Sequence, residues 1–141
     1  MTAAPLSLAD ALDRIRAAVG PAGMLTEEGD MAPYLAEWRG RFKGRSPAVV
    51  RPASTEEVAE EASICRAAQI PLVPQGGNTS LVGGSIPYEE GREIVLSLSR
   101  MNKIRHIDPL DYSMTVDAGV VLKTAQQAAV DADRLLPMSL G

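Results

Sequence analysis

A chain of 141 residues is long enough for one domain with a real core, and hardly more. Hydrophobic residues make up 45%, charged residues 23% and aromatic residues only 4%, so Leu, Val, Ile, Ala and Met must fill most of the interior. The formal net charge of -4 argues against a nucleic-acid surface, and the single cysteine, Cys65, excludes an internal disulfide and a cysteine-built metal site.

Ser7 can cap a first helix in which Leu8, Leu12, Ile15 and Val19 recur at helical spacing, before Gly20 and Pro21 stop it. Met1 to Asp10 lack the basic start and apolar stretch of a secretory signal, and no run approaches the roughly 18 apolar residues of a membrane span. A cytoplasmic protein is therefore expected. A second short helix is predicted over Met31 to Trp38. Arg39 to Pro47 reads as a connection, whose cluster Arg39, Arg41, Lys43 and Arg45 is expected to be a solvated or interdomain segment.

From Ala48 the pattern alternates strand and helix. Ala48 to Arg51 suits a short buried strand. Ser54 with Glu57 forms a capping box, and the helix after it is expected to bury Val58, Ala62, Cys65 and Ala68. Ile70 to Val73 is the next strand, so a βαβ unit with parallel strands and a right-handed crossover is expected. Ile94 to Leu98 gives a third strand. Lys103 to Asp108 and Tyr112 to Ala118 read as a hairpin turning at Asp108-Pro109-Leu110-Asp111. Leu122, Ala125, Ala129, Ala132 and Leu136 line one face of a last helix. His106, the only histidine, falls in a strand and reads as a structural or surface residue.

Between the second and third strands lies Pro74-Gln75-Gly76-Gly77-Asn78-Thr79-Ser80-Leu81-Val82-Gly83-Gly84-Ser85. Glycine tolerates positive φ, so consecutive N–H groups can turn into one concavity and bind an anion. Asn78, Thr79 and Ser80 add uncharged donors, which suits a diphosphate. The absence of G-x-G-x-x-G and of a following amphipathic helix disfavours a Rossmann turn; the absence of Gly-Lys-Ser/Thr removes a Walker A loop. On these residues alone, a glycine-rich connection without a ligand is an equal reading.

At this loop the sequence resembles the FAD-linked oxidases of the vanillyl-alcohol oxidase and p-cresol methylhydroxylase type. Within them it is most similar to the D-2-hydroxyacid dehydrogenases, which include D-2-hydroxyglutarate dehydrogenase, D-lactate dehydrogenase and the glycolate oxidase flavin subunit. The carrying blocks are Pro74 to Pro87, Leu96 to Ile104, Asp117-Ala118-Gly119-Val120 and Leu136-Pro137-Met138-Ser139-Leu140-Gly141.

The resemblance implies an α+β fold: the N-terminal part of a two-lobed FAD-binding fold, with a small parallel βαβ sheet flanked by helices and the start of an antiparallel second lobe. Residues 1–46 would be a helical segment and connection, and 47–141 an incomplete FAD-binding domain. It implies that Pro74, Gln75, Gly76, Gly77, Asn78, Thr79 and Ser80 wrap the FAD pyrophosphate and that Gly83, Gly84 and Ser85 complete the turn. It also places Gly119, Pro137, Leu140 and Gly141 near the cofactor. Asn78 stands where some relatives carry a histidine bonded covalently to the flavin, so non-covalent FAD is expected.

Family members are much longer, and their later region supplies the base, the arginine and, in some, the metal that handle the substrate. No catalytic residue and no metal ligand is therefore assigned here, and the chain alone is expected to have no turnover. The expected activity of the whole is oxidation of a D-2-hydroxy acid by hydride transfer to FAD. The rival readings are the same flavin fold acting on an alcohol, a sugar lactone or an ether-lipid precursor, and a non-enzymatic module binding a phosphate or a protein. No nucleic acid or membrane span is expected, and exposed apolar surface predicts self-association.

Overall fold

The computed structural model describes residues 6–139, in two compact units, Met1–Arg100 and Met101–Gly141. The first unit opens with α1 (Leu8–Val19), whose Ser7 cap accepts a hydrogen bond from the Asp10 N–H at 3.1 Å. Gly20, at φ +72°, ends it in a conformation few other residues adopt. The helix buries Ala11, Ile15 and Val19. Leu8, expected on this face, is 47% exposed; the buried stripe runs at a spacing of four from Ala11 through Ile15 to Val19.

A two-residue strand, β1 (Met24–Leu25), follows without any periodic signal to announce it. The predicted Met31–Trp38 helix is displaced: α2 covers Glu28–Met31, and a tighter turn covers Ala32–Tyr34. Pro33 has no N–H to continue the α-helical ladder, which accounts for the early end. Ala36 to Lys43, predicted as the end of that helix and the start of a connection, folds back on itself through an antiparallel bridge between those two residues, with Gly40 at φ +69° in its tip.

The central sheet adds β2 (Val49–Val50), β3 (Leu72–Gln75) and β4 (Ile94–Ser97) in the order β1-β2-β4-β3. Strand β1 is antiparallel to β2, and both β2 and β3 run parallel to β4. The two strands of the βαβ unit are thus parallel as the sequence predicts, but not neighbours: β4 lies between them. All four β4 residues are buried, as suits a central strand. Strand β3 is an edge, which is why Pro74, lacking a donor, is tolerated within it.

Helix α3 (Thr55–Ala68) links β2 to β3. Ser54 Oγ accepts from the Glu57 N–H at 3.2 Å, while the Glu57 carboxylate reaches one residue further back than a capping box requires, to the Ala53 N–H at 2.7 Å. The helix buries Glu61, Ile64 and Cys65; Ala62, predicted inside, is exposed. Helices α1 and α3 meet over the core of Ala11, Ile15, Val19, Met24, Val50, Ile64, Cys65 and Ile94.

The second unit is a hairpin, β5 (Ile104–Asp108) and β6 (Ser113–Val116), followed by α4 (Leu122–Asp131). The Asp108 carboxylate accepts from the N–H groups of Leu110 and Asp111 at 2.9 and 3.1 Å, fixing the predicted turn. Asp117 ties the open end of the hairpin. Its carboxylate accepts from the Lys103 N–H and from Arg105 Nε, and the Arg105 bond, first, holds its pKa below the usual carboxylate value. Helix α4 buries Ala125 and Ala129 but ends at Asp131, so Ala132 and Leu136 of the predicted stripe lie beyond it. This mixed α and β architecture, with one parallel-containing sheet and one antiparallel pair, is the fold class the resemblance implies. Among the described residues no helix is long and apolar enough to cross a membrane.

Candidate functional site: a backbone cradle after strand β3

Strand β3 delivers the chain into the glycine loop at its carboxyl end, the end of parallel strands where α/β sheets bind ligands. Pro74 and Gln75 belong to the strand itself. Pro74 is exposed and Gln75 is 2% exposed, with its side chain turned inward. From Gly76 the backbone bends into the open. Gly76, Gly77 and Thr79 are exposed, and Asn78 and Ser80 are half-buried.

Among the described residues, no hydrogen bond within the chain takes up the backbone N–H of Gly76, Gly77, Asn78, Thr79 or Ser80. A Cβ built on Gly76 would meet nothing within 4 Å, and one on Gly77 only the Thr79 methyl at 3.8 Å; Gly84 is equally open. None of the three lies in the left-handed region. Neither packing nor backbone conformation within the chain requires glycine there. Space beside unpaired donors is what a diphosphate needs, so the residues present fit that group.

The left-handed positions in the loop are instead Asn78 (φ +53°) and Gly83 (φ +74°), a correction to the reading that the glycine pairs supply positive φ together. Gly83 has its own packing reason: a Cβ there would stand 2.7 Å from the Phe42 ring. Asn78 does not offer its side-chain donors to a ligand, as the sequence suggested. Its Nδ2 donates to the carbonyls of Ala36 (2.9 Å) and Pro33 (3.2 Å), and its Oδ1 accepts from Ser85 Oγ at 3.0 Å. Gln75 Nε2 donates to the carbonyls of Tyr34 (2.9 Å) and Ser85 (2.8 Å).

Sequence reasoning missed the segment 33–43 that receives these bonds. Its contribution is mostly carbonyl oxygens, which every residue carries, so only Gly40 among charged neighbours hinted at a turn. Within it, Glu37 is buried and accepts from the N–H groups of Arg39 (2.7 Å) and Arg41 (2.5 Å). Burial pushes its carboxyl up, but those donors and the Phe42 N–H outweigh it and hold the pKa below the ordinary value. The four cations stay exposed. Arg41 and Lys43 line a cleft of about 320 Å³ with Phe42, Gly83, Gly84 and Tyr88. A larger cleft of about 790 Å³, walled by Met31, Leu35, Lys43 and Arg45, includes none of the glycine-loop residues.

In the second unit, Gly119 follows β6 and donates its N–H to the Met101 carbonyl at 2.8 Å. Pro137 is exposed beyond α4, and Leu140 and Gly141 lie outside the described residues. His106 is exposed on β5.

Strand β3 thus opens, at the edge of a mixed sheet, into a largely exposed glycine loop whose N–H groups from Gly76 to Ser80 have no hydrogen-bond partner among the described residues. The chain belongs to the FAD binding domain family, whose model matches residues 46–141. It is 40% identical over 111 residues to the D-2-hydroxyglutarate–pyruvate transhydrogenase DLD3 of Saccharomyces cerevisiae, covering 79% of this chain and 22% of that protein. It is 33% identical over 121 residues to the mitochondrial D-2-hydroxyglutarate dehydrogenase of Danio rerio, covering 86% of this chain and again 22% of the relative. The chain thus spans about a fifth of the length of these relatives. Its fold is similar to that of p-cresol methylhydroxylase with substrate bound, at a TM-score of 0.78 and 25% identity over 97% of this chain and 28% of that one. FAD is the cofactor of this family.

Proposed function

We propose that this chain provides the diphosphate-binding part of a flavin-dependent oxidoreductase that converts a D-2-hydroxy acid to the 2-oxo acid. The observation that carries the reading is the run of N–H groups from Gly76 to Ser80 that have no partner among the described residues, beside glycines that packing among those residues does not require. Those amides would hold the FAD diphosphate, with Gly84 leaving room for its approach. FAD, when bound, supplies the hydride acceptor for the α-carbon of the hydroxy acid. The choice of substrate class is supported by the names of the yeast and zebrafish relatives, both of which refer to D-2-hydroxyglutarate.

The carboxamide of Asn78 has no nucleophilic atom to attach a flavin, and it is engaged with Pro33, Ala36 and Ser85. FAD is therefore held without a covalent link in this reading.

Calorimetric titration with FAD, AMP and inorganic phosphate tests the proposal. Binding of FAD at least tenfold tighter than of AMP supports it, and equal response to all three would leave only a general phosphate module. Acid precipitation of FAD-loaded protein should release all the yellow colour into the supernatant.

A further inference from the structure

We infer that Gln75 and Asn78 are positioning residues that hold the glycine loop in its binding shape from behind, through the segment Pro33–Phe42, without touching the cofactor. The inference rests on the proposed reading of the loop as the FAD diphosphate cradle.

The two side chains use all of their amide N–H donors. Both N–H donors of Gln75 are engaged, on Tyr34 and Ser85, and both donors of Asn78 are engaged, on Ala36 and Pro33. The orientation of the Asn78 amide is settled by its partners. Two carbonyls face one arm and the Ser85 hydroxyl faces the other, so only one assignment satisfies all three. Ser85 closes the ring, since its carbonyl accepts from Gln75 and its hydroxyl donates to Asn78. The start and the end of the loop are thereby joined through one residue. The ring of Phe42, packed on Gly83, adds a third support from the same segment.

These ties have a physical purpose. Lining up several N–H dipoles around one point is unfavourable until an anion arrives, and an untethered glycine loop would disperse them. Fixing the loop beforehand lowers the ordering cost of binding. Asn is suited to the position twice over. It tolerates the left-handed φ of +53° that turns the backbone, and its short amide reaches the carbonyls behind.

The experiment compares the 141-residue chain with its Asn78→Gly, Ser85→Ala and Ser85→Thr variants. Glycine keeps the left-handed backbone without strain and removes all three side-chain bonds. Backbone order parameters from nitrogen-15 relaxation should fall across residues 76–85 in Asn78→Gly, from about 0.85 to below about 0.6, while α3 and β4 stay rigid. FAD affinity should fall by about tenfold or more, equivalent to about 1.4 kcal/mol. Ser85→Ala should lie between, and Ser85→Thr, which keeps the hydroxyl, should match the parent.

Unchanged order in Asn78→Gly would overturn the inference, as would a loosened loop that binds FAD with the parent's affinity. A parent chain that binds no FAD, yet loses loop order in Asn78→Gly, would instead overturn the FAD reading and leave the ties established.

Discussion

Gly83 and Phe42 lie closer together than any residue with a side chain at position 83 would allow: an added Cβ would stand 2.7 Å from Cδ1 of the ring. Gly83 also holds φ at +74°. Gly83→Ala therefore combines backbone strain with a clash against an aromatic ring that helps hold the loop. The expected loss is about 2 kcal/mol of stability, read from chemical or thermal unfolding. An unchanged melting curve would show that the contact is not part of the fold in solution.

Gly76→Ala should behave in the opposite way. A methyl group there meets nothing within 4 Å, and the residue does not lie in the left-handed region. Stability should stay level or rise by about 0.5 kcal/mol, because alanine restricts the unfolded chain. FAD affinity should nevertheless fall by about tenfold or more, since the methyl would occupy the space read here as the diphosphate's. Titration and melting of the same variant separate the two effects. Loss of stability with retained FAD binding would contradict the cradle.

Glu61 makes the fold sensitive to pH. It is fully buried on α3, neither carboxylate oxygen has a partner among the described residues, and burial pushes its pKa up to about 8. In the unfolded chain it ionises near 4.5. Between these values the folded state binds a proton that the unfolded state has released, so stability falls as pH rises from about 4.5 to about 8 and then levels off. The span corresponds to roughly 5 kcal/mol at about 1.4 kcal/mol per unit. Glu37, Asp108 and Asp117, whose pKa values are lowered, act in the other direction and below this window: what they contribute is lost only as the medium becomes acidic. Glu61→Gln should flatten the decline, with a higher Tm than the parent at pH 8 and little difference at pH 4.5. Parallel curves for the two proteins would reject the explanation.

The sequence conveys the fold and the site unequally. The Ser7 and Ser54 caps, the stop at Gly20 and the hairpin turn at Asp108 are local chemistry, and each stands where the residues put it. Patterns that depend on neighbours were less legible. Glu61 rather than Ala62 faces the core because tertiary packing decided the face of α3, and hydropathy ranks those two residues the wrong way round. Strand β1 is two residues long and pairs with β2, a non-local choice that no period of two could announce. In the glycine loop, composition revealed the exposed amides but not the side chains that hold them. Asn78 looks like a ligand donor until the carbonyls of Pro33 and Ala36 are seen behind it, 42 or more residues earlier in the chain.

Large apolar side chains of the second unit remain in solvent: Leu110 is 89% exposed, Leu135 76%, Val121 65% and Val130 57%. Exposed apolar side chains of this size are surface that a partner can cover, and the relatives carry several times the length of this chain. The isolated chain should therefore self-associate through this unit. Sedimentation velocity should show a weight-average mass that rises with concentration, and Val130→Ser combined with Leu135→Ser should move it toward the 14.9 kDa monomer. Both residues are exposed, so the pair of substitutions should leave the melting temperature close to the parent's. A parent chain that sediments as a single monomer across a hundredfold range of concentration would show that these side chains are ordinary scattered surface residues.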